Sequence, residues 1–223
     1  MIENNERMKF LHAKLKNHLN EQSEKYESFI YAKEIGFYQG FDAIKIQGCR
    51  STEKRFEQYK IEKYLSKTKN ALDIGCNCGF FSIFISKFLK NIDGIDINPY
   101  LIKIGEDVKE FLKIDNIKLH STSFENFLTN KKYDIIFSLA NDETIDGNTK
   151  FTFIEYMQKI MDSLTPSGML VFESQAEDVI LHEKFLQKLE ILKEKFEIVE
   201  NRMVDSEYPI NVPKRIFLIL KQK

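Results

Sequence analysis

The chain has 223 residues, 43% of them apolar, and a formal net charge of −1. That length and apolar share suffice for one substantial core, so a single domain with an extension is expected. The near-neutral balance gives no global pull towards nucleic acid or an anionic membrane, and no apolar run approaches the ~20 residues of a spanning helix.

The opening stretch, MIENNERMKF, is charged and unlike a signal peptide, so the chain is expected in the cytoplasm. Its three cysteines are Cys49, Cys76 and Cys78. They have no second Cys/His pair nearby and read as free thiols rather than metal ligands. Over roughly the first 30 residues, Met8, Leu11, Leu15 and Leu19 recur at spacings of three and four. That is an amphipathic helix, expected to pack on its own domain; a lid or a homodimer contact is left open.

The segment GFYQGFDAIKIQGCRSTEKRFEQY follows, with Gly36, Gly40 and Gly48 set among aromatic residues, as in a structured loop. Ser51 or Thr52 is a candidate N-cap for a helix burying Phe56, Tyr59, Ile61, Tyr64 and Leu65. Residues 1–69 are read as a helical extension and substrate lid, and 70–223 as the main domain.

Leu72 to Ser82, LDIGCNCGFFS, is a short strand, a glycine turn and a helix start. Gly75 and Gly79 allow a sharp turn and a close approach to a ligand. Free N–H groups opening the helix are expected to favour a negative group, whereas Asp73 suits a ligand that also carries an ammonium. Phe80 to Leu89 is an apolar helix, and Ile92 to Ile97 a strand ending near Asp96. An acid about twenty residues past such a turn is placed for ribose hydroxyls. Asp93 competes for that role but lies earlier in the strand.

Tyr100 to Lys113 is the next helix, and Ile117 to His120 the third strand. Lys132 to Leu139 is the fourth strand, followed by a polar loop, Ala140 to Asn148, which should face a ligand beyond the strand ends. Phe151 to Leu164 is a helix, Thr165 to Gly168 a turn, Met169 to Phe172 a strand ending at Glu173, and Val179 to Phe196 a helix. Phe196 to Val204 and Arg215 to Leu220 are two strands in succession, expected to pair antiparallel.

The frame Asp73, Gly75, Asn77, Gly79 resembles motif I of the class I S-adenosylmethionine-dependent methyltransferases, with Asn77 in place of the middle glycine. LTPSGMLVFE resembles the turn and strand after the catalytic loop of that family, and the terminal strand pair fits the same pattern. The resemblance covers about residues 70 to 220. It implies an α/β fold: a Rossmann-like seven-stranded methyltransferase sheet with a terminal antiparallel strand pair, plus the N-terminal helical extension. It also implies S-adenosyl-L-methionine as cofactor and S-adenosyl-L-homocysteine as product. The cofactor would be held by Asp73, Gly75, Asn77, Gly79, Asp96, Ile97, Ser123, Phe124 and Ala140, with Ser123, Phe124 and Glu125 near the adenine. GCRSTEKRFEQY is similar to the segment before motif I in bacterial methyltransferases linked to surface-glycan and other specialised pathways. Tyr38, Gln39, Arg50 and Arg55 would then line the acceptor's space, Arg50 alternatively pairing with a local acid.

Methyl transfer from a sulfonium is an in-line displacement that gains most from positioning, with a base when the nucleophile carries a proton. Asp142, Glu143 and Glu173 are the catalytic candidates; Asp146 beside Gly147-Asn148 reads as turn chemistry, and His182 as an ordinary helical residue. Asn141, Asp142 and Asp146 would suit magnesium, but no second ligand set accompanies them and no metal is expected. The leading expectation is O-methylation of a small-molecule or glycan-type acceptor. An RNA-modifying or small-molecule N-methyltransferase, or a catalytically silent partner subunit, are the competing readings. The neutral charge argues against nucleic acid, and the intact Asp73 and Asp96 against a silent subunit.

Overall fold

The computed structural model describes residues 2–25, 36–143 and 149–223. Its first helix, α1 (Ile2–Lys25), is followed by two short strands, β1 (Phe37–Gly40) and β2 (Gly48–Ser51), which pair in parallel. Gly48 makes that pairing feasible: a Cβ there would lie 2.4 Å from the backbone of Gln39 and Gly40. Helix α2 (Thr52–Tyr59) starts on Ser51, whose hydroxyl accepts from the Lys54 amide at 3.3 Å.

The main sheet comprises β3 (Asn70–Ile74), β4 (Asn91–Asp96), β5 (Ile117–Ser121), β6 (Tyr133–Leu139), β7 (Leu164–Glu173), β8 (Phe196–Asp205) and β9 (Lys214–Gln222). Their order is β5-β4-β3-β6-β7-β9-β8, with β9 antiparallel to both neighbours and the other pairs parallel. The chain runs outward from β3 to β5, then returns to β6 beside β3. The crevice where that direction reverses is where open α/β sheets hold ligands.

Side chains alternate faces along each strand. Ala71, Ile135, Phe137, Val171, Phe217 and Ile219 bury against α1, α2, α3 (Phe80–Ile85) and α4 (Pro99–Leu112). Leu72, Ile136, Leu170, Phe172 and Leu218 bury against α5 (Phe153–Ser163) and α7 (His182–Lys195). Leu11 and Leu15 of α1 share the first core, and Asp107 of α4 takes Lys14 at 2.6 Å and His18 at 2.9 Å. Tyr59 stacks on Phe217 and Phe56 on Phe88, contacts worth about 0.5–1.5 kcal/mol each beyond burial. The extension thus packs on the main domain's core rather than forming one of its own.

Three elements differ from the sequence expectation. The turn over residues 165–168 is a bulge inside β7, where pairing jumps from Tyr133↔Leu164 to Ile135↔Met169. The helix expected from Val179 to Phe196 is two helices, α6 (Ala176–Ile180) and α7, because Leu181 leaves helical geometry (φ −103, ψ 74). Asp178 in α6 accepts from the Gln175 amide at 2.9 Å, fixing the start of that short helix. The helix after the glycine turn ends at Ile85, its last turn tightening to a 3-10 form over Ser86–Phe88.

Candidate functional site

The turn after β3 has three residues at positive φ: Gly75 (66), Asn77 (57) and Gly79 (68). Asn77 replaces a glycine because its own Oδ1 accepts from the Cys78 amide at 2.9 Å, a local bond that stabilises the left-handed conformation. Gly75 is required for another reason. The Asn141 side chain lies on it, so that a Cβ would stand 2.6 Å from Asn141 Nδ2. Several amides of the turn, and the first of the helix, already have partners. Asn77 N donates to Asp96, Cys78 N to Asn77, and Phe80 N to Gln39 Oε1 at 3.1 Å. These bonds fix the turn, and Asp73 and Asp96 flank it.

Asp73 is buried at the end of β3 and accepts from Ser82 Oγ at 2.5 Å. Burial pushes its pKa up to about 6, only partly opposed by Ser82 and by the charge of Arg55. A buried carboxylate with a hydroxyl but no contacting cation among the described residues fits a ligand ammonium. Asp96 ends β4, with Oδ2 accepting from Asn77 N and Oδ1 from Asn98 N, each at 2.9 Å. Each carboxylate oxygen can accept more than one bond, so both also suit a diol. Asp93 is occupied elsewhere, by His120 at 3.0 Å, Lys131 at 2.7 Å and Tyr133 at 3.0 Å. Ile97 is half-buried just past β4, and Ala140 half-buried just past β6, where its amide donates to the Glu173 carbonyl at 2.9 Å. Phe124 is buried edge-on against Tyr156, and Ser123 Oγ accepts from Asn126 N, so Phe124 supports the loop after β5 from beneath. Glu125 is also committed, capping Phe151 N at 3.2 Å and Thr149 Oγ1 at 2.7 Å.

The residues assigned to the acceptor's wall are tied into the protein. Gln39 clamps the glycine turn from outside, donating to the Cys76 carbonyl at 3.2 Å and accepting from Phe80 N. Arg50 is fully buried and makes a forked pair with Glu173, Nη2 to Oε1 at 2.6 Å and Nη1 to Oε2 at 3.1 Å. Tyr59 donates to Glu173 at 2.8 Å, and Arg55 Nη2 lies 3.7 Å from it. These cations overcome the burial penalty and hold the Glu173 pKa down at about 2. Glu173, read from the sequence as a candidate base, is thus paired with buried arginines that favour its ionised form. Tyr38 stands half-buried, edge-on to Tyr208.

In the loop after β6, the Asn141 side chain donates to the Ile74 carbonyl and accepts from Ser138 Oγ at 2.8 Å and Tyr156 Oη at 3.0 Å. Asp142 is buried, with Lys188 Nζ 2.6 Å from Oδ2, while Oδ1 has no partner among the described residues. Lys188 also lies 2.8 Å from Asp178 and 3.5 Å from Glu143. Burial, with the charges of Asp178 and Glu143, raises the Asp142 pKa to about 6 despite Lys188. Glu143 is more exposed and pairs with Lys184. Lys188 and Lys184 are the cations in contact with these acids among the described residues; Asp146 and the Gly147-Asn148 turn lie outside them. His182 is exposed at the start of α7. Sequence reasoning missed Lys188, Asp178 and Arg215. Lys188 lies on the stretch read as one helix from Val179 to Phe196, where a lysine reads as surface, and Asp178 falls just before it.

A family model described as a methyltransferase domain matches residues 65–213. Over 97 residues the chain is 36% identical to a Methanocaldococcus jannaschii protein provisionally named a protein N5-glutamine methyltransferase, covering 39% of this chain and 47% of that protein. Over 112 residues it is 35% identical to a malonyl-[acyl-carrier protein] O-methyltransferase of Ilyobacter polytropus, covering 45% of this chain and 41% of the other. The chain thus spans under half the length of these curated relatives. Among solved structures, the N-methyltransferase NodS of Bradyrhizobium japonicum, crystallised with S-adenosylhomocysteine, superposes with a TM-score of 0.63 at 17% identity, covering 95% of this chain and 98% of that one. No helix among the described residues is long and apolar enough to cross a membrane.

Proposed function

The chain belongs to the methyltransferase-domain family, and from that premise we propose that it moves a methyl group from S-adenosyl-L-methionine to a hydroxyl of a small polar or glycan-type acceptor. The observation that carries the cofactor assignment is the pair Asp73 and Asp96 on either side of one turn. Asp73, buried without a contacting cation among the described residues, would take the ammonium of the methionine moiety, and Asp96 the ribose diol. The cofactor supplies an activated methyl on a sulfonium. The protein's part is to hold donor and acceptor in line and to accept the hydroxyl proton.

Among the three candidate acids, Asp142 is the one that suits that last task. Its pKa of about 6 lies in the working range of a general base, and its Oδ1 has no donor among the described residues. Glu173 holds no proton near neutrality, and Glu143 lies farther out, paired with Lys184. The free thiols Cys49, Cys76 and Cys78 agree with a reducing cytoplasm. The relatives' names cite a protein glutamine and an acyl-carrier-bound malonyl group, two different acceptors, so the acceptor must be found by experiment.

Calorimetry with S-adenosylhomocysteine should give micromolar binding, and none would overturn the reading. Methyl-labelled S-adenosylmethionine, incubated with small-molecule and glycan extracts, should then yield a labelled O-methyl product. Labelled bulk RNA in its place would give the RNA-modifying alternative. With the acceptor in hand, Asp142→Asn should lose roughly a hundredfold to ten-thousandfold in turnover while S-adenosylhomocysteine affinity stays within about threefold.

A further inference from the structure

Arg215, near the start of β9, is 4% exposed and has no carboxylate paired with it among the described residues. Its Nη1 donates to the Ser174 carbonyl and its Nη2 to the Tyr208 carbonyl, both at 3.1 Å, and its Nε has no partner among the described residues. The carboxylate whose charge bears on it is Glu173, but that group is already filled by Arg50, Tyr59 and Arg55. Burial lowers the Arg215 pKa, whereas the paired Arg50 is held well above its ordinary value. A buried guanidinium held by two carbonyls alone is costly, and such a cost is expected where a ligand completes the pairing.

Its position says which ligand. Phe217 pairs with Glu173, the last residue of β7, and Arg215 lies two residues earlier in β9 on the same face. Arg215 therefore stands just past the carboxyl end of β7, on the side where sheets of this type receive ligands. Asp73 and Asp96 occupy β3 and β4, separated from β7 by β6. The Arg215 corner thus lies across β6 from the two acids assigned to the cofactor, where an acceptor beside the donor would lie. Tyr208, whose carbonyl Arg215 holds, sets its ring edge-on to the half-buried Tyr38 at 6.0 Å. Arg50, close enough for its charge to bear on Arg215, also has an Nε without a partner among the described residues.

We propose that Arg215 is the counter-charge for an oxyanion carried by the methyl acceptor, a carboxylate or a phosphate group, and so sets which acceptors are taken. This rests on the methyl-transfer reading above. A guanidinium fork with an open Nε suits either oxyanion.

The test uses the full chain saturated with S-adenosylhomocysteine, with inorganic phosphate and acetate as probes, each titrated by calorimetry at constant ionic strength against chloride. Wild type should bind one or both, the preferred probe separating phosphate from carboxylate. Arg215→Gln should weaken that binding by at least about tenfold, the loss of a charged hydrogen-bond pair, with S-adenosylhomocysteine affinity within about threefold of wild type. Without anion, Arg215→Gln should melt no lower than wild type, since it removes a buried charge. If that variant does not fold, Arg215→Lys keeps the charge, loses the fork and should still weaken the probe. Neither probe binding wild type, or binding unchanged in the variants, would overturn the proposal. So would a loss of S-adenosylhomocysteine affinity in Arg215→Gln, which would make the anion the cofactor's own carboxylate. Should wild type fail to bind S-adenosylhomocysteine, the methyl-transfer reading falls by itself, and phosphate binding to the free chain still decides for or against an oxyanion site.

Discussion

Arg50 and Glu173 stand 123 residues apart in sequence, yet their side chains form a forked ion pair with contacts of 2.6 and 3.1 Å in the interior. Glu173 ends a central strand, whereas Arg50 lies in β2, ahead of the main sheet, so the pair ties the two parts of the chain together. Replacing it with apolar residues of similar volume could be harmless; removing one partner is not. Glu173→Gln leaves Arg50 and Arg55 buried with no carboxylate and should cost about 3–5 kcal/mol in chemical denaturation. A cost under ~1 kcal/mol would show that the arginines find other partners.

The same pair makes an acid-stability prediction. Glu173 has its pKa lowered from 4.5 to about 2 in the folded protein. A depressed carboxylate contributes stability that is complete above its unfolded pKa and is lost as pH falls through the folded one. Wild type should lose this contribution between about pH 4.5 and 2, and Glu173→Gln should show a flatter stability profile across that window. Denaturation midpoints at stepped pH would decide it, and parallel profiles would refute it.

The alternation of the chain, the turn at Asp73 to Gly79 and the closing strand pair were legible because they rest on local chemistry: strand periodicity, glycine geometry and short connections. Asp96 was separable from Asp93 by position, and the structure shows Asp93 taken by His120, Lys131 and Tyr133. The pairing of polar groups was not legible. Gln39 reads as a cleft residue, but it closes the turn through Cys76 and Phe80, 37 and 41 residues on. Glu173 reads as a cleft acid, because an isolated carboxylate at a strand end resembles one whose cations arrive from another segment. Lys188 looks solvated until the helix break at Leu181 sets Asp178 against it.

Asp96 should separate cofactor binding from folding. Asp96→Asn retains one oxygen as an acceptor but loses the charge, and S-adenosylhomocysteine affinity should fall by about 1.5–3 kcal/mol. Loss of one of its two bonds, to Asn77 N or Asn98 N, should lower the melting temperature by only a few degrees, roughly what 1 kcal/mol gives in a chain of this size. Wild-type affinity in this variant would remove Asp96 from the ribose site.

As the proposed partner of the cofactor's ammonium, Asp73 should make cofactor affinity pH-dependent. Its pKa in the free protein is about 6, so below that pH the carboxyl holds a proton that an incoming ammonium must displace. S-adenosylhomocysteine should bind most tightly above pH 6 and weaken as pH falls, by up to about tenfold per pH unit, with a proton released on binding. Calorimetry in buffers of different ionisation enthalpy measures that proton directly. Asp73→Asn should bind weakly and lose the slope; a slope that persists in this variant would place the titrating group elsewhere.

Lys188 is the sole cation in contact with Asp142 among the described residues, and it also contacts Asp178, at 2.6 and 2.8 Å respectively. Lys188→Met should therefore strand two buried carboxylates and cost about 3–5 kcal/mol at pH 8. The sign of its pH dependence distinguishes this from lost packing. The Asp142 pKa is already raised to about 6 with the lysine in place, and it must rise further without it. A carboxyl with a raised folded pKa contributes stability at low pH that is lost as pH rises through that value. The variant's deficit should accordingly be largest above pH 6 and shrink as pH is lowered towards 5, whereas a packing defect would not change across that range. Adding Asp142→Asn to Lys188→Met should restore part of the stability at pH 8, a positive coupling measurable in a double-mutant cycle. A pH-independent deficit with additive variants would mean that Lys188 holds α7 by its stem alone, and that its charge does little to hold the Asp142 pKa down.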